Sequence, residues 1–153
     1  MKPIRVLYCC LSVIFAVAAC NDDDMQLSYQ HTVQVGLYSM RTHKDTTLTN
    51  VQIYGVGRED SLLYDSKQLG SLFLNLDLQR CTTQFVFKTQ TLQDELSFEY
   101  RKHLKPISGS GGISMQLHID SVRHTSIFID SVSVVNPNIN YNESLENVQV
   151  FVY

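Results

Sequence analysis

From Thr32 onward, apolar and polar residues alternate with a period of two. Val33, Val35 and Leu37 fall on one side, and Gln34, Gly36 and Tyr38 on the other, as in a strand with one buried face. Leu48 to Val56 continues the pattern, with Val51 and Ile53 opposite Gln52 and Tyr54 and with Gly55 and Gly57 marking a bulge or turn. Arg58-Glu59-Asp60-Ser61 reads as a solvated loop and Leu62-Leu63-Tyr64 as a short return strand. Leu72, Leu74, Leu76 and Leu78 alternate with Phe73, Asn75, Asp77 and Gln79, which disfavours a helix, whose apolar positions recur at three and four.

The second half has the same pattern. Thr83 to Lys88 offers Phe85 and Phe87, and Glu95 to Tyr100 offers Leu96, Phe98 and Tyr100, with Gln93-Asp94 suited to the hairpin connection between them. Lys105 to Gly112 breaks the alternation, which Ile113, Met115, Leu117 and Ile119 resume. A loop over Arg123 to Ser126, a strand over Ile127 to Val135, a polar loop over Asn138 to Asn147 and a last strand over Val148 to Tyr153 complete the chain. About eight short strands at roughly 8–12-residue spacing predict an all-β domain. At this length the expected form is an antiparallel immunoglobulin-like β-sandwich, one domain over residues 30–153.

The first two dozen residues follow another rule. Lys2 and Arg5 precede a mostly apolar run from Val6 to Ala19, too short to span a bilayer as a mature helix of about 20 apolar residues and typical of a signal peptide. Val17-Ala18-Ala19-Cys20 resembles the lipobox of bacterial lipoproteins. The resemblance implies a cleaved leader over residues 1–19, lipid on the Cys20 thiol and a tether over residues 20–29. Several acyl chains make a stable anchor where one is marginal. The competing reading is an ordinary signal peptide, or a buried helix, that happens to contain a cysteine. Asn21-Asp22-Asp23-Asp24 resembles the acidic export tag of Bacteroidetes surface lipoproteins, and it also suits a self-repelling, extended tether. Cell-surface exposure is the expectation from the tag, and the periplasmic face of the outer membrane is the alternative.

Charge and cysteine usage narrow the remainder. The chain carries 12 basic and 15 acidic side chains; without Lys2 and Arg5 the balance is −5, which argues against nucleic acid as a partner. Cys9 and Cys10 leave with the leader and Cys20 takes lipid, so Cys81 stands alone and is expected as a half-buried structural thiol.

Taken together, the lipobox, Val51 to Gly57 with Asp60 to Tyr64, the leucine strand 72–78, Leu96 to Tyr100, Ile129 to Val132 and Glu146 to Val150 resemble an uncharacterised family of small Bacteroidetes lipoproteins. That resemblance implies an address and a fold and supplies no catalytic residue.

The chain offers little chemistry. His118 and Asp120 share a strand face but lack the further ligands that a zinc site needs. Ser108 to Gly112 is glycine-rich without the lysine or the following helix of a phosphate loop. Asp22 to Asp24 lack the spaced oxygens of a calcium loop. No Gly-x-Ser-x-Gly elbow is present. The sequence therefore assigns no catalytic residue, metal or cofactor. Asp60-Ser61-Leu62 is the best of four tripeptides resembling the Bacteroidetes O-glycosylation acceptor, the others starting at Asp45, Asp120 and Asp130; Asn142-Glu143-Ser144 matches the N-glycosylation pattern.

The expected function is that of a non-catalytic outer-membrane lipoprotein, an envelope interaction or ligand-binding module held to the membrane by its N-terminal lipid. The alternatives are a glycan-binding accessory lipoprotein, with Tyr38, Tyr54 and Phe73 as an aromatic platform, and a small envelope hydrolase.

Overall fold

The structure, a computed structural model of the chain, describes residues 31–106, 113–139 and 145–153. The lipobox, Cys20, Asp22 to Asp24, the glycine-rich run and Asn142 lie outside the described residues, apart from the first residues of the Lys105 break.

The described chain is all-β. Its strands are β1 (Thr32–Ser39), β2 (Leu48–Gly55), β3 (Leu62–Leu69), β4 (Ser71–Asn75), β5 (Thr82–Lys88), β6 (Gln93–Pro106), β7 (Ile113–His124), β8 (Ile129–Val134), β9 (Asn138–Ile139) and β10 (Val148–Val152). They form a four-stranded sheet in the order β4-β1-β10-β8 and a six-stranded sheet in the order β3-β2-β5-β6-β7-β9. All pairings are antiparallel except that of β1 with β10, which sets the first described strand parallel to the last.

One hydrophobic core lies between the sheets. Val33, Val35, Leu37, Leu72, Leu74, Val148 and Val150 reach it from the smaller sheet, and Val51, Ile53, Phe85, Phe87, Leu96, Phe98 and Leu117 from the larger. Burial of one such side chain stabilises the fold by about 1.5–3 kcal/mol, so the period-two pattern fixes which face of each strand turns inward. A register slip of one residue would expose the whole set.

Several elements differ from the sequence expectation. β3 is a full eight-residue strand. It is the edge of the larger sheet and mostly exposed, so it shows no alternation. The leucine run is shorter as a strand than as a pattern: β4 ends at Asn75, although Leu76 remains buried. Gln93 and Asp94 do not form the hairpin turn. They begin β6, and the turn is closed at Thr89 and Leu92, where Thr89 N–H donates to the Leu92 carbonyl at 2.8 Å. Asn138 to Asn147 is not wholly loop, because Asn138 and Ile139 add β9 beside β7. Gly57, with φ of 76°, makes the expected turn after β2.

The chain passes repeatedly between the sheets, and buried polar groups staple the crossings. Between β4 and β5, the Tyr100 hydroxyl donates to the Asp77 carbonyl at 2.7 Å and meets the Thr83 hydroxyl at 2.7 Å. Between β7 and β8, the fully buried Asp94 accepts the N–H groups of Ile127, Phe128 and Ile129 and the Thr125 hydroxyl. Around β9, buried Asn147 accepts the Gln34 N–H at 3.0 Å and donates to the carbonyls of Asn136 and Asn138. Each staple satisfies backbone groups that burial would otherwise leave costly.

Candidate functional site

The two sheets turn different outer faces to solvent. On the six-stranded sheet two ion pairs cross between β6 and β7. Arg101 donates to Asp120 from Nε at 2.7 and 2.9 Å and lies 2.7 Å away through Nη2. Arg123 pairs with Glu99, which also accepts the Ser121 hydroxyl at 2.8 Å. The Ser121 hydroxyl and then the Arg123 guanidinium hold the Glu99 carboxyl below its ordinary range.

The ladder also engages Asp120 of the His118–Asp120 pair. Asp120 turns to Arg101, and His118 meets Asn138 through Nδ1 at 2.8 Å. Among the described residues no group of three His, Cys, Asp or Glu side chains is placed to hold a metal ion.

The four-stranded sheet has another chemistry. Its strands, TVQVGLYS, SLFLN, VQVFV and IDSVSV, contain no lysine or arginine. The register sets Phe73 opposite Gln34, Gly36 opposite Gln149, and Tyr38 opposite Phe151. Phe73 is 52 % exposed. At one end Tyr38 and His43 each pack near Phe151, with ring centroids 5.6 and 5.5 Å apart.

In the middle of this face a carboxylate lies on bare backbone. The Glu146 side chain covers Gly36, where an added Cβ would come within 1.8 Å of Oε2. Glu146 accepts the Tyr38 hydroxyl at 3.1 Å and the Gln149 Nε2–H at 2.7 Å. Burial, and then the Glu146 carboxylate, push the Tyr38 hydroxyl above its ordinary pKa. Glycine at position 36, having no Cβ, lets the carboxylate seat there. The face thus offers aromatic rings, amides, hydroxyls and the Glu146 carboxylate, a set suited to binding polar and aromatic surfaces alike.

The sequence-predicted residues fare unevenly. Tyr38 and Phe73 do share the outer face of the smaller sheet, but Tyr54 belongs to the other sheet and is 4 % exposed beside Val86, so the three-ring platform is not formed. Cys81 is exposed in the connection between β4 and β5, where the expectation was half-burial. That segment is a turn outside both sheets and leaves the thiol facing water. Ser61 is exposed before β3, its N–H donating to the Arg58 carbonyl at 3.0 Å. Sequence reasoning missed Glu146, Gln149 and Phe151; the glycine at 36 inside a strongly apolar strand was the available signal.

Fold and surface define an all-β domain of two sheets around one core. Residues 50–152 match a family described as Family of unknown function (DUF6452), and the chain belongs to that family. No curated protein and no solved structure matches the chain.

Proposed function

We propose that this chain is an outer-membrane lipoprotein of Bacteroidetes type, tethered through Cys20 and working as a non-catalytic interaction or ligand-binding module. In this reading Met1 to Ala19 is removed as a signal peptide. Asp22, Asp23 and Asp24 direct the domain to the cell surface, and the immunoglobulin-like form of the sandwich presents one outer face to a partner. The observation that carries the reading is the contrast between the faces. Arg101–Asp120 and Arg123–Glu99 pair off across β6 and β7 of the larger sheet, whereas the smaller sheet exposes Phe73 among amides and hydroxyls with no basic residue in its strands. A desolvated aromatic anchor within a hydrogen-bonding rim is how interfaces concentrate binding energy. An envelope protein is the favoured partner and a glycan the second reading, since Phe73, Gln34 and Gln149 stand on one face. The exposed Ser61 hydroxyl suits the proposed O-glycosylation.

A photo-crosslinking residue placed at Phe73 in the lipidated protein tests the contact. It should capture a defined envelope component that the same residue at Gln116 does not, and Phe73→Ser should abolish capture by a crosslinker at Ser133. Equal labelling from both sheets would remove the assignment. Cys20→Ala should lose incorporated fatty acid, and Asp22, Asp23 and Asp24 replaced together by Ala should protect the domain from protease added to whole cells.

A further inference from the structure

The six-stranded sheet carries a concavity with a specific origin. In β2, Asn50 has a φ of 50°, a left-handed conformation that asparagine tolerates better than most residues. The alternation slips there: Leu48 and Val51, three residues apart, are both buried, and Thr49 and Asn50 between them are exposed. Beside this bend lies a solvent-open groove of about 440 Å³ lined by polar side chains. Asp65, Gln52 and Lys88 form one rung of it across β3, β2 and β5, and Asn50, Lys67 and Gln90 also line it.

The charges of the groove depart from those of the sheet around it. Arg101 and Arg123 are each neutralised across a strand. Lys67 and Lys88 have no carboxylate within 4.0 Å among the described residues. Asp65, the one acidic lining residue, accepts a long bond from Gln52 at 3.4 Å. Two ammonium groups against one carboxylate give a locally positive site on a chain whose formal charge is −3.

We infer that this groove binds a small anionic ligand bearing hydroxyl groups, an acidic saccharide unit. Lys67 and Lys88 supply the charge for its carboxylate, and the amides of Asn50, Gln52 and Gln90 with the Asp65 carboxylate supply paired donors and acceptors for its hydroxyls. A phosphate would be better served by a bidentate arginine or a helix N-terminus, and neither lines the groove. Side-chain amides around the two lysines are what a polyol adds to the requirement for charge. The inference is independent of the outer face of the smaller sheet.

Saturation-transfer NMR on the lipidated protein in nanodiscs tests it, with glucuronate, glucose and inorganic phosphate as probes. Glucuronate should give a transfer signal that weakens with added salt. Glucose should bind about tenfold more weakly, a loss of about 1.4 kcal/mol. The Lys67→Gln/Lys88→Gln double variant, whose exposed positions leave the fold intact by circular dichroism, should lose the signal, while Phe73→Ser should keep it. No signal with millimolar glucuronate, an unchanged signal in the double variant, or full displacement by equimolar phosphate would each overturn the assignment, the last by reducing the groove to a simple anion site.

Discussion

Asp94 and Glu146 are two carboxylates that the fold holds in opposite ways. Among the described residues neither pairs with a basic side chain. Asp94 sits in the seam between the sheets, fully buried, and most of its donors are backbone N–H groups from the crossing between β7 and β8. Glu146 lies on an outer face, half-buried over Gly36, and its donors are the side chains of Tyr38 and Gln149. Backbone donors cannot turn away without undoing the crossing, whereas side-chain donors can rotate to another acceptor. One carboxylate is therefore part of the frame, and the other is a surface that a partner can displace.

Breaking the seam gives the largest expected effect. Asp94→Ala leaves the amides of Phe128 and Ile129 buried without an acceptor, and frees that of the exposed Ile127; it should cost about 3 kcal/mol in chemical denaturation. Asp94→Asn keeps one acceptor oxygen and should fall between. A loss under about 1 kcal/mol for the alanine variant would show that water replaces the carboxylate, and the seam would then be no firmer than the face.

The same carboxylate sets a pH dependence. Burial alone would raise the Asp94 pKa, but the Thr125 hydroxyl and the amides of Ile129, Phe128 and Ile127 outweigh it and hold the group below the ordinary carboxylate range. A folded pKa below the unfolded value of about 3.9 stabilises the fold above that pH and is lost as the pH falls through the folded pKa. The stability gap between the wild type and Asp94→Asn should be constant near neutrality and close below about pH 4. A gap that widens in acid would reverse the assigned sign.

On the outer face, Gly36→Ala drives a methyl group into the Glu146 carboxylate and against the Tyr38 ring. Both neighbours are movable side chains, so the expected cost is only about 1 kcal/mol, that of the hydrogen bonds lost with the seat. Glu146→Gln leaves the backbone undisturbed. It should bring the Tyr38 pKa back toward its ordinary value, since Glu146 contributes to the rise after burial. NMR titration of the assigned Tyr38 ring resonances reads this, and an unchanged titration in both variants would mean that the carboxylate is not seated over Gly36 in solution.

The contrast between the two carboxylates also explains what the sequence made legible. Alternation located β1, β2, β5 and β7 because each has one face on the core, so burial writes a period of two. It shortened β3, an edge strand that sends only Tyr64 and Leu69 against the core, and the second half of β6, where Arg101, Lys102 and His103 follow the last core tyrosine. It extended the leucine run beyond β4, because Leu76 is buried without joining the ladder. Asp94 read as a turn residue because the groups that make it structural lie 31 to 35 residues away, and no local pattern records them. Glu146 was equally invisible, since its seat is a glycine 110 positions earlier in the chain. The strands were local statements and the seam and the face were not.

The smallest expected effect lies on the charged face of the larger sheet. Arg101 grips Asp120 through Nε and Nη2, a geometry that favours an ion pair more than most. Both side chains nevertheless keep solvent contact, 64 % and 32 % exposed. Water screens the attraction, and ordering two long side chains offsets part of the remainder. Arg101→Ala should therefore cost about 0.5 kcal/mol, less than Gly36→Ala, and the difference should vanish in about 1 M salt, where the screening length falls to about 3 Å. The Gly36→Ala cost is that of hydrogen bonds displaced by a methyl group, and it should persist at that salt. If the two respond to salt alike, the seat of Glu146 is electrostatic, and the two outer faces differ in composition without differing in the kind of force that shapes them.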